Sequence, residues 1–142
     1  MFRLHDRLAA DSIEVVRLEL SRVQLMNDSR YPWLILVPAR EGVTELHQLW
    51  DDDYQILTRE IILASRILEK LHSFDKLNIG SLGNLVPQLH VHIVGRQRED
   101  FAWPGPVWGV GEAVPYEKAA LTHRLSEFRA AFEGGRGAAR EE

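Results

Sequence analysis

The sequence predicts an α+β fold: an antiparallel sheet of about five strands that carries one long helix and a C-terminal helix. Three stretches predict it. Trp33-Leu34-Ile35-Leu36-Val37 is a continuous apolar run between Pro32 and Pro38, the mark of a central strand buried on both faces. From Asp53 to about His72, Tyr54, Leu57, Ile61, Ala64, Leu68 and Leu71 recur at spacings of three and four, which lays one apolar stripe along a helix. Gln88-Leu89-His90-Val91-His92-Ile93-Val94 alternates strictly, the period of an extended strand.

The remaining elements fall between these. After a polar opening, Glu14 to Met26 is rich in Val and Leu with interspersed charge and predicts one or two half-buried strands, and Asn27-Asp28-Ser29-Arg30 reads as a turn. Asp51, Asp52 and Asp53 stand where cap oxygens and negative charge stabilise the start of the long helix. Lys76 to Ile79 is a further strand, and Gly80-Ser81-Leu82-Gly83-Asn84 is a glycine-bearing loop that feeds the strand from Gln88 to Val94. Trp103-Pro104-Gly105-Pro106-Val107-Trp108-Gly109 breaks either ladder with two prolines and two glycines. A last amphipathic helix, from about Glu117 to Phe132, carries Leu121, Leu125, Phe128 and Phe132 on one side. Residues 1–133 read as one domain and residues 134–142 as a frayed tail.

Composition narrows the functional classes. With 142 residues and 45% hydrophobic content, the chain closes one ordinary core. A net charge of −4 gives no broad positive field for a nucleic-acid backbone, so a small molecule or a peptide is the expected partner. The absence of cysteine removes disulfides, thiolate catalysis and cysteine-ligated metal. Neither a secretory apolar run nor a stretch of about 18 apolar residues is present, so the expected location is cytoplasmic, with no membrane partner.

The chemistry concentrates at residues 88–94. On an extended strand Leu89, Val91 and Ile93 face the core while Gln88, His90 and His92 share the opposite face, roughly 6.5–7 Å apart in succession. Two imidazoles and an amide at that spacing can surround one tetrahedral group such as a phosphate. A neutral imidazole can attack at neutral pH, and a neighbouring imidazolium can donate to the charge that develops.

At these residues the chain resembles the histidine triad (HIT) family, whose motif is three histidines alternating with apolar residues on a strand. Gln88 stands where the first histidine would be, His90 matches the central nucleophile, and His92 matches the third. The resemblance extends over residues 1 to about 98, because the strands, the long helix, the glycine-bearing loop and the motif strand follow the family's order. It implies a HIT-like fold and a homodimer. It also implies a nucleotide hydrolase or nucleotidyl transferase, with a dinucleoside polyphosphate or nucleoside phosphoramidate as substrate. By this resemblance His90 attacks the α-phosphorus to form a nucleotidyl-histidine that water resolves, and His92 holds phosphate oxygens. Asn84 matches a phosphate-contacting position, and Asn27 or Asp28 matches the ribose-binding residue. No cofactor is needed to make the nucleophile, although Mg²⁺ can accompany a polyphosphate.

Gln88 departs from the motif. Its amide can orient a phosphate or a ring but cannot shuttle a proton, which opens the alternative of a nucleotide-binding sensor without efficient turnover. A second alternative is a strand-borne His-x-His site for zinc or iron, for which the local sequence offers no third ligand; His5, His47, His72 and His123 are scattered. Arg96 and Arg98 could meet outer phosphates or simply solubilise the strand end, and Trp103 and Trp108 could reach a base, close a lid or contact a partner subunit.

Overall fold

The computed structural model describes residues 1–141, with side-chain surroundings as far as Gly135. Short helix α1 (Asp6–Asp11) precedes strands β1 (Ser12–Arg17), β2 (Ser21–Met26) and β3 (Trp33–Pro38). Helix α2 (Asp51–Leu71) follows, then β4 (Lys76–Gly80), β5 (Val91–Arg96) and α3 (Lys118–Glu141). The strands form one sheet in the order β1-β2-β3-β5-β4, every neighbouring pair antiparallel, so the five-stranded α+β expectation holds. The valine- and leucine-rich segment resolves into two strands, and the run at residues 33–38 is the fully buried central strand.

Alternation along the strands sorts the two faces. Val23, Leu25, Leu34, Leu36 and Ile93 point to α2 and α3 and meet Ala64, Ile67, Leu68, Phe128 and Phe132 in the main core. Trp33, Ile35, Val37 and Val94 point the other way, onto a second cluster with Leu8, Val86 and Val107. One face of the sheet is therefore closed by helices, and the other by the N-terminal segment and the long loops. No described helix is long and apolar enough to cross a membrane.

Several expectations are revised. The residue that caps α2 is Trp50, without a side-chain bond; Asp51, Asp52 and Asp53 instead fill the first turn, where their charge still favours the helix dipole, and Asp53 pairs with Arg40 at 2.7 and 2.9 Å. The polar opening contains α1, whose first turn is secured by Arg7 N–H donating to Nδ1 of His5 at 3.1 Å. Helix α3 extends to Glu141, past the Phe132 that its apolar spacing marks as the end, since Gly135 still lies against α2 where a Cβ would stand 2.8 Å from Leu63. The side chains of residues 136–141, and residue 142 of the expected tail, lie outside the described residues.

The motif strand also begins later than alternation indicates. Its ladder with β3 ends at the pair Leu36–Val91, and Leu89 N–H donates to the Val43 carbonyl instead of to a strand. Gln88, at a bend, and His90 lie outside the sheet.

Candidate active site

His90 and His92 keep the shared orientation that alternation requires, and their rings meet edge to face with centroids 4.9 Å apart. Both are buried, at 4% and 5% exposure, rather than displayed on an open sheet face. They form the floor of a cleft of about 740 Å³ whose walls come from α1, the β2–β3 turn, the loop before β5 and the loop after it. Asn27, Asp28 and Asn84 line the same cleft, so five of the six expected site residues converge.

The sixth does not. Gln88 faces the N-terminal segment, where its Oε1 accepts from His5 N–H and its Nε2 donates to the Arg3 carbonyl, both at 2.8 Å. The expected side-chain contact between Gln88 and a phosphate is corrected on this point, because the amide is turned to the N-terminal segment and does not line the cleft. Its backbone matters more directly: the Gln88 carbonyl lies 2.7 Å from Nδ1 of His90. A carbonyl can only accept, so Nδ1 carries a proton, and in the neutral ring the lone pair then sits on Nε2.

His92 has the opposite arrangement. Nδ1 accepts from the indole N–H of Trp33 at 3.0 Å, which leaves the proton of the neutral ring on Nε2 as a donor. Burial, reinforced by the neighbouring His90, pushes its pKa down to about 3. His92 is thus a neutral donor at physiological pH, and the expectation of a charged imidazolium partner is revised: a ring this dry does not take up a second proton. One imidazole offers a lone pair and its neighbour offers an N–H.

Trp33 escapes sequence reading because a tryptophan in an apolar run looks like core. It pairs with Val94 while Ile35 pairs with His92, which places the indole diagonally across the ladder from the imidazole. Trp108, from the Pro/Gly tract, covers the other side of His92 with ring centroids 5.4 Å apart. Gly80, the residue of β4 opposite His92, makes room for it, since a Cβ there would lie 3.3 Å from the indole. Trp103 lies elsewhere, beside the Arg96 guanidinium.

The two candidates in the turn differ. Asp28 is 1% exposed and its oxygens accept from Arg30 N–H, Nε and Nη2 and from Val114 N–H, contacts that hold its carboxyl below the usual range despite burial. Asn27 accepts Tyr116 N–H at 3.0 Å through Oδ1, which leaves its amide nitrogen available to a ligand. Arg96, a candidate for outer phosphates, is 1% exposed and forms a two-pronged pair with Asp100 at 2.8 Å, so it braces the loop after β5. Arg98 offers its backbone N–H to Asp75. Among the described residues no three His, Asp or Glu side chains converge as metal ligands.

The chain is similar over nearly its whole length to several solved structures, among them three histidine triad proteins. A histidine triad protein from Bradyrhizobium japonicum is 43% identical with a TM-score of 0.89, the match covering 92% of this chain and 97% of that one. A histidine triad (HIT) protein from Sinorhizobium meliloti is 42% identical at 0.89, covering 92% and 96%. One from Marinobacter aquaeolei is 41% identical at 0.91, covering 94% and 98%. A search of curated protein sequences found no match. The HIT domain profile matches residues 7–99, the stretch that holds the sheet, α2 and both cleft histidines, and the chain belongs to the HIT domain family.

Proposed function

We propose that this protein is a nucleotide hydrolase or nucleotidyl transferase that works through a covalent nucleotidyl-histidine on His90. The observation that carries the proposal is the Gln88 carbonyl on Nδ1 of His90, because it leaves Nε2 of this cleft-lining ring as the free lone pair. Nε2 attacks the α-phosphorus of a dinucleoside polyphosphate or nucleoside phosphoramidate. An N–P bond forms, the bond from phosphorus to the leaving group breaks, and the leaving group departs with the bonding pair to take a proton from water. The adduct is a cationic imidazolium whose Nδ1–H stays bonded to the Gln88 carbonyl, which stabilises that charge. Water then adds to phosphorus and gives its proton to the hydroxide left by the first step, the N–P bond breaks with its pair returning to Nε2, and nucleoside monophosphate leaves with the neutral ring restored.

His92 Nε2–H donates to a non-bridging phosphate oxygen throughout, as a dipole fixed by the Trp33 indole. The Asn27 amide nitrogen donates to a ribose hydroxyl, and Asn84 reaches the phosphate from the opposite wall. The nucleophile needs no metal, and Mg²⁺ accompanies only a polyphosphate substrate. We place the enzyme in the cytoplasm as a homodimer; Trp50 at 83% exposure and Tyr54 on α2, with Ile79 on edge strand β4, offer apolar surface for the second copy.

Incubation with dinucleoside polyphosphate or nucleoside phosphoramidate labelled at the α-phosphate tests the reading. Released nucleoside monophosphate, with trapped label on the peptide that contains His90, supports it. Tight binding of AMP with neither label nor product would make the protein a sensor module. One firmly held zinc per chain by elemental analysis would turn His90 and His92 into ligands.

A further inference from the structure

Gln88 ties two parts of the cleft together. Its carbonyl holds the ring of His90, while its side chain holds the backbone of Arg3 and His5. His5 in turn accepts the N–H of Arg7 through Nδ1 at 3.1 Å, so a short series of hydrogen bonds runs from beside the nucleophile to the backbone of Arg7. Leu8 is buried in the cluster beneath the cleft, and Phe2 lies 4.9 Å under the Arg22 guanidinium, which fixes the segment at both ends.

Two cationic side chains line the cleft among the described residues, Arg7 and Arg30. Arg30 is committed to Asp28 through Nε and Nη2 and to the Val110 carbonyl through Nη1. Arg7 is not: its ion partner is Asp11, one turn on, at 3.6 Å between side chains that are more than half exposed. A long, solvated pair of that kind holds a guanidinium weakly, whereas a phosphate offers it short bonds to two oxygens.

We infer that residues 1–11 are a recognition arm of the active site, latched by Gln88, in which Arg7 receives an anionic leaving group. This deepens the hydrolase reading above and rests on it. The amide in place of a ring at position 88 then has a purpose of its own: it bonds at once to an N–H and to a carbonyl, and so grips an extended segment as a neighbouring strand would. Gln88 is a positioning residue that acts through Arg7. The arm gives preference to substrates whose α-phosphorus carries further phosphate over those whose leaving group is an uncharged amine.

The test compares kcat/KM for a dinucleoside polyphosphate with that for an adenosine phosphoramidate of ammonia, in the full chain and in R7A, Q88A, Q88E and the R7A/Q88A double variant. In R7A the ratio of polyphosphate to phosphoramidate falls about tenfold or more, the loss of one charge-assisted contact. Q88A lowers the same ratio, Q88E lowers it too because its carboxylate still accepts from His5 N–H but has no donor for the Arg3 carbonyl, and the double variant falls no further than R7A, because both changes remove one interaction. A ratio that stays within about twofold in R7A overturns the inference. So does a double variant whose loss is the product of the single losses, since Gln88 would then act apart from the arm. If the unaltered protein puts label from neither substrate on His90, the hydrolase reading fails first and takes the arm with it; if it labels His90 and R7A has no selective effect, the arm alone fails.

Discussion

Replacing His92 by Gln should flatten the acid side of the protein's stability profile. In the folded chain burial and the adjacent His90 hold the His92 pKa at about 3, whereas in the unfolded chain the ring titrates near 6.5. Between those values the unfolded state binds a proton that the folded state refuses, so stability rises with pH across the window and is lost as pH falls from about 6.5 toward 3. Each pH unit inside the window is worth about 1.4 kcal/mol, and the contribution between pH 7 and pH 4.5 comes to about 2.5 kcal/mol. Glutamine does not titrate. Urea unfolding of both proteins at the two pH values, followed by tryptophan fluorescence at one protein concentration, isolates this effect, because carboxylates held low, such as Asp28 and Asp100, weaken both proteins alike on acidification. The stability of the unaltered protein relative to H92Q should drop by about 2.5 kcal/mol on going to pH 4.5. A difference that is the same at both pH values would refute the view that His92 is held neutral by burial.

Other perturbations test separate contacts. His90→Asn should lower turnover by at least about a thousandfold, and, since the ring is buried and bonded to the Gln88 carbonyl, it should also destabilise the fold by about 1–3 kcal/mol; kinetics and thermal melting read the two effects. Trp33→Phe keeps the aromatic bulk but strands Nδ1 of His92 without its donor, so melting should show a loss of about 1–3 kcal/mol and kcat should fall together with it. Asp100→Ala leaves the 1%-exposed Arg96 guanidinium without its carboxylate and should cost about 3–5 kcal/mol in urea unfolding; a loss below about 1 kcal/mol would mean that the loop after β5 is not braced by this pair.

Much of the fold is legible in the sequence because the sheet is sorted by alternation and α2 by its spacing of three and four. Trp33 to Val37 reads as a central strand since nothing polar interrupts it, and His90 and His92 share a face because alternation sends them the same way. The limits have the same physical origin. Alternation reports extended backbone and says nothing about which strand accepts its hydrogen bonds, so the motif strand looks as if it starts at Gln88, three residues before the ladder that begins at Val91. Gln88 lies on that unpaired stretch, where its side chain is captured by Arg3 and His5, residues more than eighty positions away. Long-range capture of that kind leaves no local signature. The same holds for Trp33, whose indole N–H sets the tautomer of His92, and for Arg96, a surface residue by composition that is buried by Asp100 and two aromatic rings. Asn27 and Asp28 are equivalent as a turn signal, and only the contacts of Arg30 and Val114 separate them.

Nitrogen NMR of the histidine side chains tests the central claim most directly. In mildly alkaline solution the spectrum should show His90 protonated at Nδ1 with a bare Nε2, and His92 with a bare Nδ1 and a protonated Nε2. A bare Nδ1 on His90, or a proton on both nitrogens of His92, would contradict it.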